Sequence, residues 1–423
     1  MALASLSDAD FKTLLSENFT PSATIKTPER LFGRAKALTT IERAFASAGR
    51  QVFIYGDRGV GKTSLAETAA NLHQDSRSAP IYVPCANSGS FAEVMTAVGN
   101  ATISITKRVE QRGATGTYGA SVFGTGLSVK PAEAGVHHTL PDAETLTGAL
   151  DIIRYVLEKR HGPQIIIIDE MERIGAAAER EKFAEFIKNI PQLDERVKFI
   201  FCGIGTTVDE LIGAHPSAGR ILETISLEKL HHNYLWEIIR HVASQAEVEI
   251  PTEMLVRIGQ ISDGFPHYVH LIGESMFWSA YDDEKEVTKL LPQHFRAGIT
   301  GALERAEGVL RQQYQKATRK TKNTTDYEEA LWAVADTTSD SRQLSEIYEA
   351  SYKRIMMRRQ REERLMLTKE LFNQRLLALK KDGHGSILRG YGSGWFGFRE
   401  NIIRGYVRLM AEQAGVELGR DIR

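Results

Sequence analysis

Gly56-Asp57-Arg58-Gly59-Val60-Gly61-Lys62-Thr63 fits the phosphate-binding pattern G-x-x-x-x-G-K-[ST] at every position. The residues on either side agree with it. Gln51-Val-Phe-Ile-Tyr55 is a short β-branched and aromatic run that reads as a buried strand, and Ser64-Leu-Ala-Glu-Thr-Ala-Ala-Asn-Leu72 reads as a helix. Gly56, Gly59 and Gly61 can take backbone angles that side chains forbid, so successive N–H groups can turn inward around an anion. The helix start adds unpaired N–H groups and its positive dipole end. The backbone from Gly56 through Asp57, Arg58 and Val60 to Ser64 is thus the candidate cradle for the phosphates of ATP. Lys62 is placed to reach the β- and γ-phosphates, and the Thr63 hydroxyl to hold Mg²⁺.

The 423 residues, 42% hydrophobic and 25% charged, describe ordinary globular protein with room for two or three cored domains. Cys85 and Cys202, the two cysteines, lie in apolar strand-like runs, which reads as buried free thiols and suits a reducing cytoplasm. No charged-then-apolar leader and no apolar run of membrane length is present, so the expectation is a chain without a membrane role. The net charge of −1 conceals an asymmetry. From residue 301 onward 23 Lys/Arg stand against 17 Asp/Glu, an excess of six positive charges, which leaves −7 for the first 300 residues. The C-terminal part is the one to expect against a polyanion.

Upstream of the glycine loop, residues 8–16 read as a short helix, 21–28 as extended chain, and Leu31-Phe-Gly-Arg34 opens a helix that ends near Gly49. Downstream, Ile81-Tyr-Val-Pro-Cys85 reads as a second strand and residues 91–109 as a helix. The Gly/Ser/Thr-rich stretch 113–135 reads either as an inserted hairpin or as a surface loop. A helix over 142–160 then leads to Ile165-Ile-Ile-Ile-Asp169-Glu170. Four consecutive isoleucines suit a central strand covered on both faces, and the two carboxylates at its end do not belong in a core. At the carboxyl edge of a parallel sheet, Asp169 is placed to contact Mg²⁺ and Glu170 to polarise the water that attacks the γ-phosphate.

A helix over 178–190 precedes a further buried strand, Val197-Lys-Phe-Ile-Phe-Cys-Gly-Ile-Gly205, which ends at Thr206-Thr207. Thr206 reads as a γ-phosphate sensor or as a helix cap. A helix over 208–212, the turn Pro216-Ser-Ala-Gly-Arg220 and a last strand over 221–227 complete the pattern. Strand, loop and helix in repetition predict an α/β doubly wound parallel sheet with its ligand outside the strand carboxyl ends. From residue 233 to 282 only helical patterns remain, as expected of a small helical lid.

This arrangement resembles the AAA+ and STAND groups of P-loop ATPases, and most closely the origin-recognition type of initiator. The resemblance covers about 25–300, and its strongest parts are the glycine loop and the strand Ile165 to Glu170. It implies that Arg34, in Phe32-Gly-Arg34, borders the nucleotide base. It implies that Arg220 stands where such ATPases carry an arginine finger, a guanidinium given to the nucleotide of a neighbouring subunit, which would make the protein a homo-oligomer. The alternative for Arg220 is a surface salt bridge. Gly264-Phe-Pro266-His267 resembles the STAND pattern in placing Pro266 near the nucleotide. His267 stands where an initiator carries a sensing arginine, or is a core or cap histidine. Pro84 occupies the place of an initiator's switch asparagine.

Residues 301–324 read as a polar linker helix with Arg311, Lys316, Arg319, Lys320 and Lys322. Helical patterns over 327–335, 344–357 and 367–379, a hairpin over 386–399 turning at Gly392-Ser-Gly394, and a helix over 401–414 follow. Three helices and a two-strand wing resemble a winged helix-turn-helix domain. The resemblance implies an α+β module in which Arg375, Lys380, Lys381 and Arg389 meet the phosphates of double-stranded DNA. Winged helices also serve as protein-contact modules. Arg358, Arg359, Arg361 and Arg364 alternate with glutamates and read as a solvated face. The expected organisation is an N-terminal extension (1–24), an AAA+ core (25–230), a lid (231–300), a linker (301–324) and a winged helix (325–423). Two functions fit: an ATP-hydrolysing, oligomerising switch that engages DNA, or a STAND-type scaffold, of the kind used in bacterial defence, that recruits a separate effector protein.

Overall fold

The five apolar runs pair as one parallel sheet because the central ones are buried on both faces and each is followed by a helix long enough to cross back. In the computed structural model, which describes residues 3–74, 77–103, 140–214, 216–283, 286–319, 324–359 and 365–419, the strands are β1 (Gln51–Tyr55), β2 (Ile81–Pro84), β3 (Gln164–Asp169), β4 (Val197–Gly203) and β5 (Leu222–Ser226). Their order is β2-β3-β4-β1-β5, every pair parallel. β3 and β4 are buried at every position, as the isoleucine run requires. β2 lies at the sheet edge with alternating burial, so Pro84, which has no N–H to give a ladder, sits where a proline is tolerated.

The helices that return the chain are capped as their sequences dictate. Ser90 and Glu93 form a reciprocal capping box at the start of Phe91–Asn100, and the Thr145 hydroxyl accepts from Gly148 N at the start of Leu146–Lys159. Phe91, Phe183, Phe186, Phe199 and Phe201 fill one side of the sheet in edge and stacked contacts with centroids 4.9 to 5.7 Å apart. The hairpin-or-loop stretch 113–135 lies outside the described residues.

Two expected boundaries move. The helix expected to open at Leu31 is Ala35–Ala46, with Arg34 as its N-cap residue. The strand expected to reach Gly205 ends at Gly203, and Gly205–Ala214 is already helix.

The described chain forms two compact units. One holds the parallel sheet, with residues 34–56 and 62–226. The other gathers residues 1–33, the loop tip 57–61 and everything from 227 onward. Within this second unit the N-terminal helix Asp8–Asn18 lays Phe11 on Tyr281, stacked at 4.0 Å, and against Trp278 of the helix Pro266–Tyr281. The stretch 301–324 is not one linker helix: residues up to Arg305 finish the helix Pro292–Arg305, and Gly308–Thr318 is a second one. The C-terminal part contains the helix Thr324–Ala335, a helix over 344–359 with a π-helical stretch Ile347–Tyr352, the helix Lys369–Leu379, and an antiparallel sheet of β6 (Arg342–Gln343), β7 (Leu388–Gly390) and β8 (Trp395–Phe398), ordered β6-β8-β7. The two-residue β6 escaped the sequence reading because so short a strand has no period. The last helix is Ile402–Gln413.

Candidate nucleotide site

Between β1 and the helix Lys62–His73, the backbone takes the angles the glycines permit, with φ 83° at Gly59 and 96° at Gly61. Lys62 is buried and its ammonium donates to the Gly56 carbonyl at 3.0 Å, so the side chain folds back along the loop it serves. At the second residue of the helix the Thr63 hydroxyl donates to Asp169 Oδ2 at 2.6 Å. This contact joins the loop's end to the end of β3 across 106 residues of sequence, the pairing that the two motifs require.

Asp169 is 2% exposed and accepts three hydrogen bonds, one of them the Thr63 bond. Its Oδ1 accepts from the Glu170 N–H at 2.7 Å, and its Oδ2 accepts a second hydroxyl, that of Tyr82, at 3.1 Å. Glu170 lies in the left-handed region at φ 59°, where a residue with a Cβ is strained, and this turns its side chain out of the strand's direction. The carboxylate meets Arg173 at 3.0 Å, an ion pair in which both side chains are about 40% exposed. Neither Tyr82 nor Arg173 was singled out from sequence. Tyr82 reads as a strand aromatic, and the left-handed turn that brings Arg173 back to Glu170 has no sequence signature. The thiol of Cys85, beside this cluster, is pushed up to about 12 by burial and the Asp169 charge, and burial also raises Cys202. Both are free and buried, as expected.

The loop tip has its own neighbours. Asn401 Nδ2 donates to Asp57 Oδ2 at 2.8 Å, Arg58 pairs with Glu307 at 2.8 Å and approaches Glu400 at 3.8 Å, and Val60 is buried. A Cβ on Gly59 would stand 2.5 Å from the Ile402 Cδ1 methyl, so only glycine allows this approach. These contacts reach the tip from the starts of the helices Gly308–Thr318 and Ile402–Gln413, and nothing in the glycine pattern announces them.

Direct contacts thus bring Gly56, Lys62, Thr63, Asp169 and Glu170 together. Ser64 follows in the first turn of the same helix. Arg34 is buried at its N-cap position, and Arg220 is exposed in the short helix Ala218–Ile221 before β5. Among the described residues no contact joins Arg220 to Lys62, Thr63, Asp169 or Glu170. Thr206 lies in the first turn of Gly205–Ala214 rather than at a strand end. Pro266 occupies the first turn of Pro266–Tyr281, and His267 Nδ1 lies 3.1 Å from the Pro21 carbonyl. Burial pushes the His267 pKa down, so the ring is neutral and Nδ1–H is the donor, which leaves a buried Nε2 without a hydrogen-bond partner.

In the C-terminal part, two expectations change. Arg375 is drawn onto Asp326 at 3.0 Å and lies over the Tyr327 ring, so a partly buried carboxylate already holds it. Arg359 is not solvated: it pairs with fully buried Glu329 at 3.2 Å and covers Trp332. Lys380 lies over Phe396, Arg389 stacks on Tyr391 at 4.4 Å, and Lys381 is exposed. Arg361, Arg364, Lys320 and Lys322 lie outside the described residues.

Sheet order, glycine loop and acidic strand end define a P-loop ATPase of the AAA+ class. The chain belongs to the family described as "ATPase domain predominantly from Archaea", whose model matches residues 31–272, and it is an ATP-hydrolysing enzyme. No curated protein matches it. Among solved structures it is similar in fold to a Walker-type ATPase of Pyrococcus abyssi, at 15% identity and TM-score 0.50, over 92% of this chain and 99% of that one. Further matches include the ORC2 protein of Aeropyrum pernix with ADPNP and ADP, at 14% identity and TM-score 0.48 over 94% and 98%. Another is Cdc6p of Pyrobaculum aerophilum, at 14% and 0.46 over 96% and 99%. Among the described residues no helix is long and apolar enough to cross a membrane.

Proposed function

We propose that the chain is a nucleotide-controlled switch of the cytoplasm, in which an AAA+ core (25–230) with its lid (231–300) binds Mg·ATP and a C-terminal winged helix (325–423) engages duplex DNA. The observation that carries this reading is the loop tip. Asp57, Arg58 and Gly59 are held by Asn401, Glu307 and Ile402, so an anion entering the cradle bears directly on the segment that leads into the last helix.

The oxygens of Thr63 and Asp169, 2.6 Å apart, are the hard donors that Mg²⁺ takes. When bound, the ion would offset the charge of the phosphates. Lys62 would leave the Gly56 carbonyl for the β- and γ-phosphates, and Arg34 would line the nucleotide. Glu170 would take a proton from water as the water oxygen bonds to the γ-phosphorus. The bond from that phosphorus to the β–γ bridging oxygen breaks, releasing ADP and phosphate. Arg220, exposed before β5, is suited to serve the site of a second copy in a homo-oligomer. Lys380, Lys381 and Arg389 are suited to DNA phosphates.

Calorimetry tests the core of this. Lys62→Ala is expected to abolish ATP binding, and Glu170→Gln to keep binding while turnover falls by about 10²-fold or more. Normal ATP affinity in Lys62→Ala refutes the assignment. A second reading, a scaffold that recruits a protein effector, is favoured by the capture of Arg375 by Asp326 and by the exposed Leu371 and Leu377 on the same helix. No mobility shift on duplex DNA at low salt, with or without ATP, selects that reading over DNA binding.

A further inference from the structure

The register of β2 against β3 sets Pro84 directly opposite Asp169 and Tyr82 opposite Ile167. Side chains of a strand alternate between faces, so Tyr82, Pro84, Ile167 and Asp169 share one face of the sheet, with Tyr82 on the diagonal from Asp169. Pro84 has no hydrogen-bonding side chain to offer its carboxylate neighbour. A diagonal neighbour is within reach only of a long side chain, and the Tyr82 phenol spans the gap, donating to Asp169 Oδ2 at 3.1 Å. The same oxygen accepts from Thr63, and Oδ1 is held by the Glu170 N–H. With the Glu170 N–H and Thr63 alone, the carboxylate is tied at each oxygen from the chain's own motif residues. Tyr82 adds a third tie from a different strand, and it does so at the edge of the sheet with 42% of the residue exposed, where an aromatic gains little from burial.

We propose that Tyr82 is a positioning residue for the ATPase reaction: its hydroxyl fixes the Asp169 carboxylate in the orientation that the magnesium ion of Mg·ATP requires, a task that Pro84 cannot perform from the opposite position. This inference rests on the nucleotide site proposed above. Outer partners of metal-binding carboxylates typically set affinity by about 10- to 100-fold. Because the phenol's hydrogen bond is to the Asp169 carboxylate, its loss is expected to act on the metal side of the complex and not on the grip of the loop on phosphates.

The test is a magnesium titration of a fluorescent ATP analogue bound to the full chain, comparing the natural protein with Tyr82→Phe, which deletes only the hydroxyl. The half-saturating Mg²⁺ concentration is expected to rise about tenfold in Tyr82→Phe. Affinity for the analogue in EDTA is expected to stay the same, and kcat at saturating Mg²⁺ to recover to within about twofold of the natural value. A merely structural role would lower EDTA affinity or melting temperature and leave the magnesium half-point in place. Tyr82→Gln, whose amide can donate over part of the same distance, is expected to fall between the two. A natural protein whose analogue binding ignores Mg²⁺ overturns the site assignment beneath the inference. A natural protein with that dependence and a Tyr82→Phe half-point within twofold of it overturns the inference alone.

Discussion

Glu170 is the residue at which local geometry and reactivity meet. Its left-handed backbone and its ion pair with Arg173 hold the carboxylate aside. Both partners of that pair are about 40% exposed, so it is worth no more than about 1 kcal/mol and can be broken by a bound nucleotide. Arg173→Ala is therefore expected to raise basal ATP turnover, by at most about fivefold, which a phosphate-release assay at saturating ATP would detect. Unchanged or lower turnover would assign Arg173 a different part. The contrast with Lys62 is instructive, because the glycine-lysine spacing declares that residue in the sequence, whereas Arg173 becomes visible only once the chain turns left-handed at Glu170.

At the scale of elements, the helix Ile402–Gln413 buries two arginines against one carboxylate. Arg404 pairs with Asp263 at 3.1 Å and Asp340 at 3.0 Å and donates to the Thr338 and Ser339 carbonyls. Arg408 reaches Asp263 at 3.3 Å and the Ala335, Thr337 and Gln260 carbonyls. Lys229 closes the cluster on Asp263 at 3.2 Å. Asp263 is itself the left-handed cap of the helix Thr252–Ser262, immediately before Gly264-Phe-Pro266. Two buried guanidiniums left without their shared charge are costly, so Asp263→Asn is expected to lower unfolding free energy by about 3 kcal/mol in urea titrations. A loss under about 0.5 kcal/mol would show that the carbonyl oxygens alone suffice.

The neighbouring helix Pro266–Tyr281 adds a pH dependence. His270 is buried against Phe19 and accepts from the Thr20 N–H, and burial with the nearby His267 pushes its pKa down to about 4. A depressed value means that the unfolded chain binds the proton first. The stability this group contributes is whole above its ordinary value near 6.5 and is lost as pH falls from there through about 4, a change of roughly 3 kcal/mol. Unfolding measured across that range is expected to show a shallower slope in His270→Asn. These elements were legible in outline, since 3.6-residue periods mark the helices. Their buried polar cluster was not, because arginines on an amphipathic helix read as solvent-facing until a partner strand or turn is placed over them.

At the scale of the whole molecule, the ATPase reading turns on how the loop tip is held. Glu307 and Asn401 lie about 250 and 340 residues from the glycine loop and meet Arg58 and Asp57 at 2.8 Å each. If these contacts restrain the cradle, the paired substitution Glu307→Ala with Asn401→Ala is expected to speed association of a fluorescent ATP analogue by several-fold in stopped flow. Binding should remain dependent on Lys62. An association rate within twofold of the natural protein would mean that the tip is indifferent to these partners.

The glycine loop by itself determined the P-loop assignment, and with the isoleucine strand it determined a parallel sheet, because a phosphate cradle and a two-sided strand are local demands that only a few residue patterns satisfy. The tertiary structure alone decided which side chains share the site. Tyr82 reaches Asp169 through strand register and Arg173 reaches Glu170 through a left-handed turn, while Asn401 and Glu307 reach Asp57 and Arg58 by packing across most of the chain. A residue's type and spacing fix what it can do locally, while its partners are set by long-range pairing that no single stretch encodes.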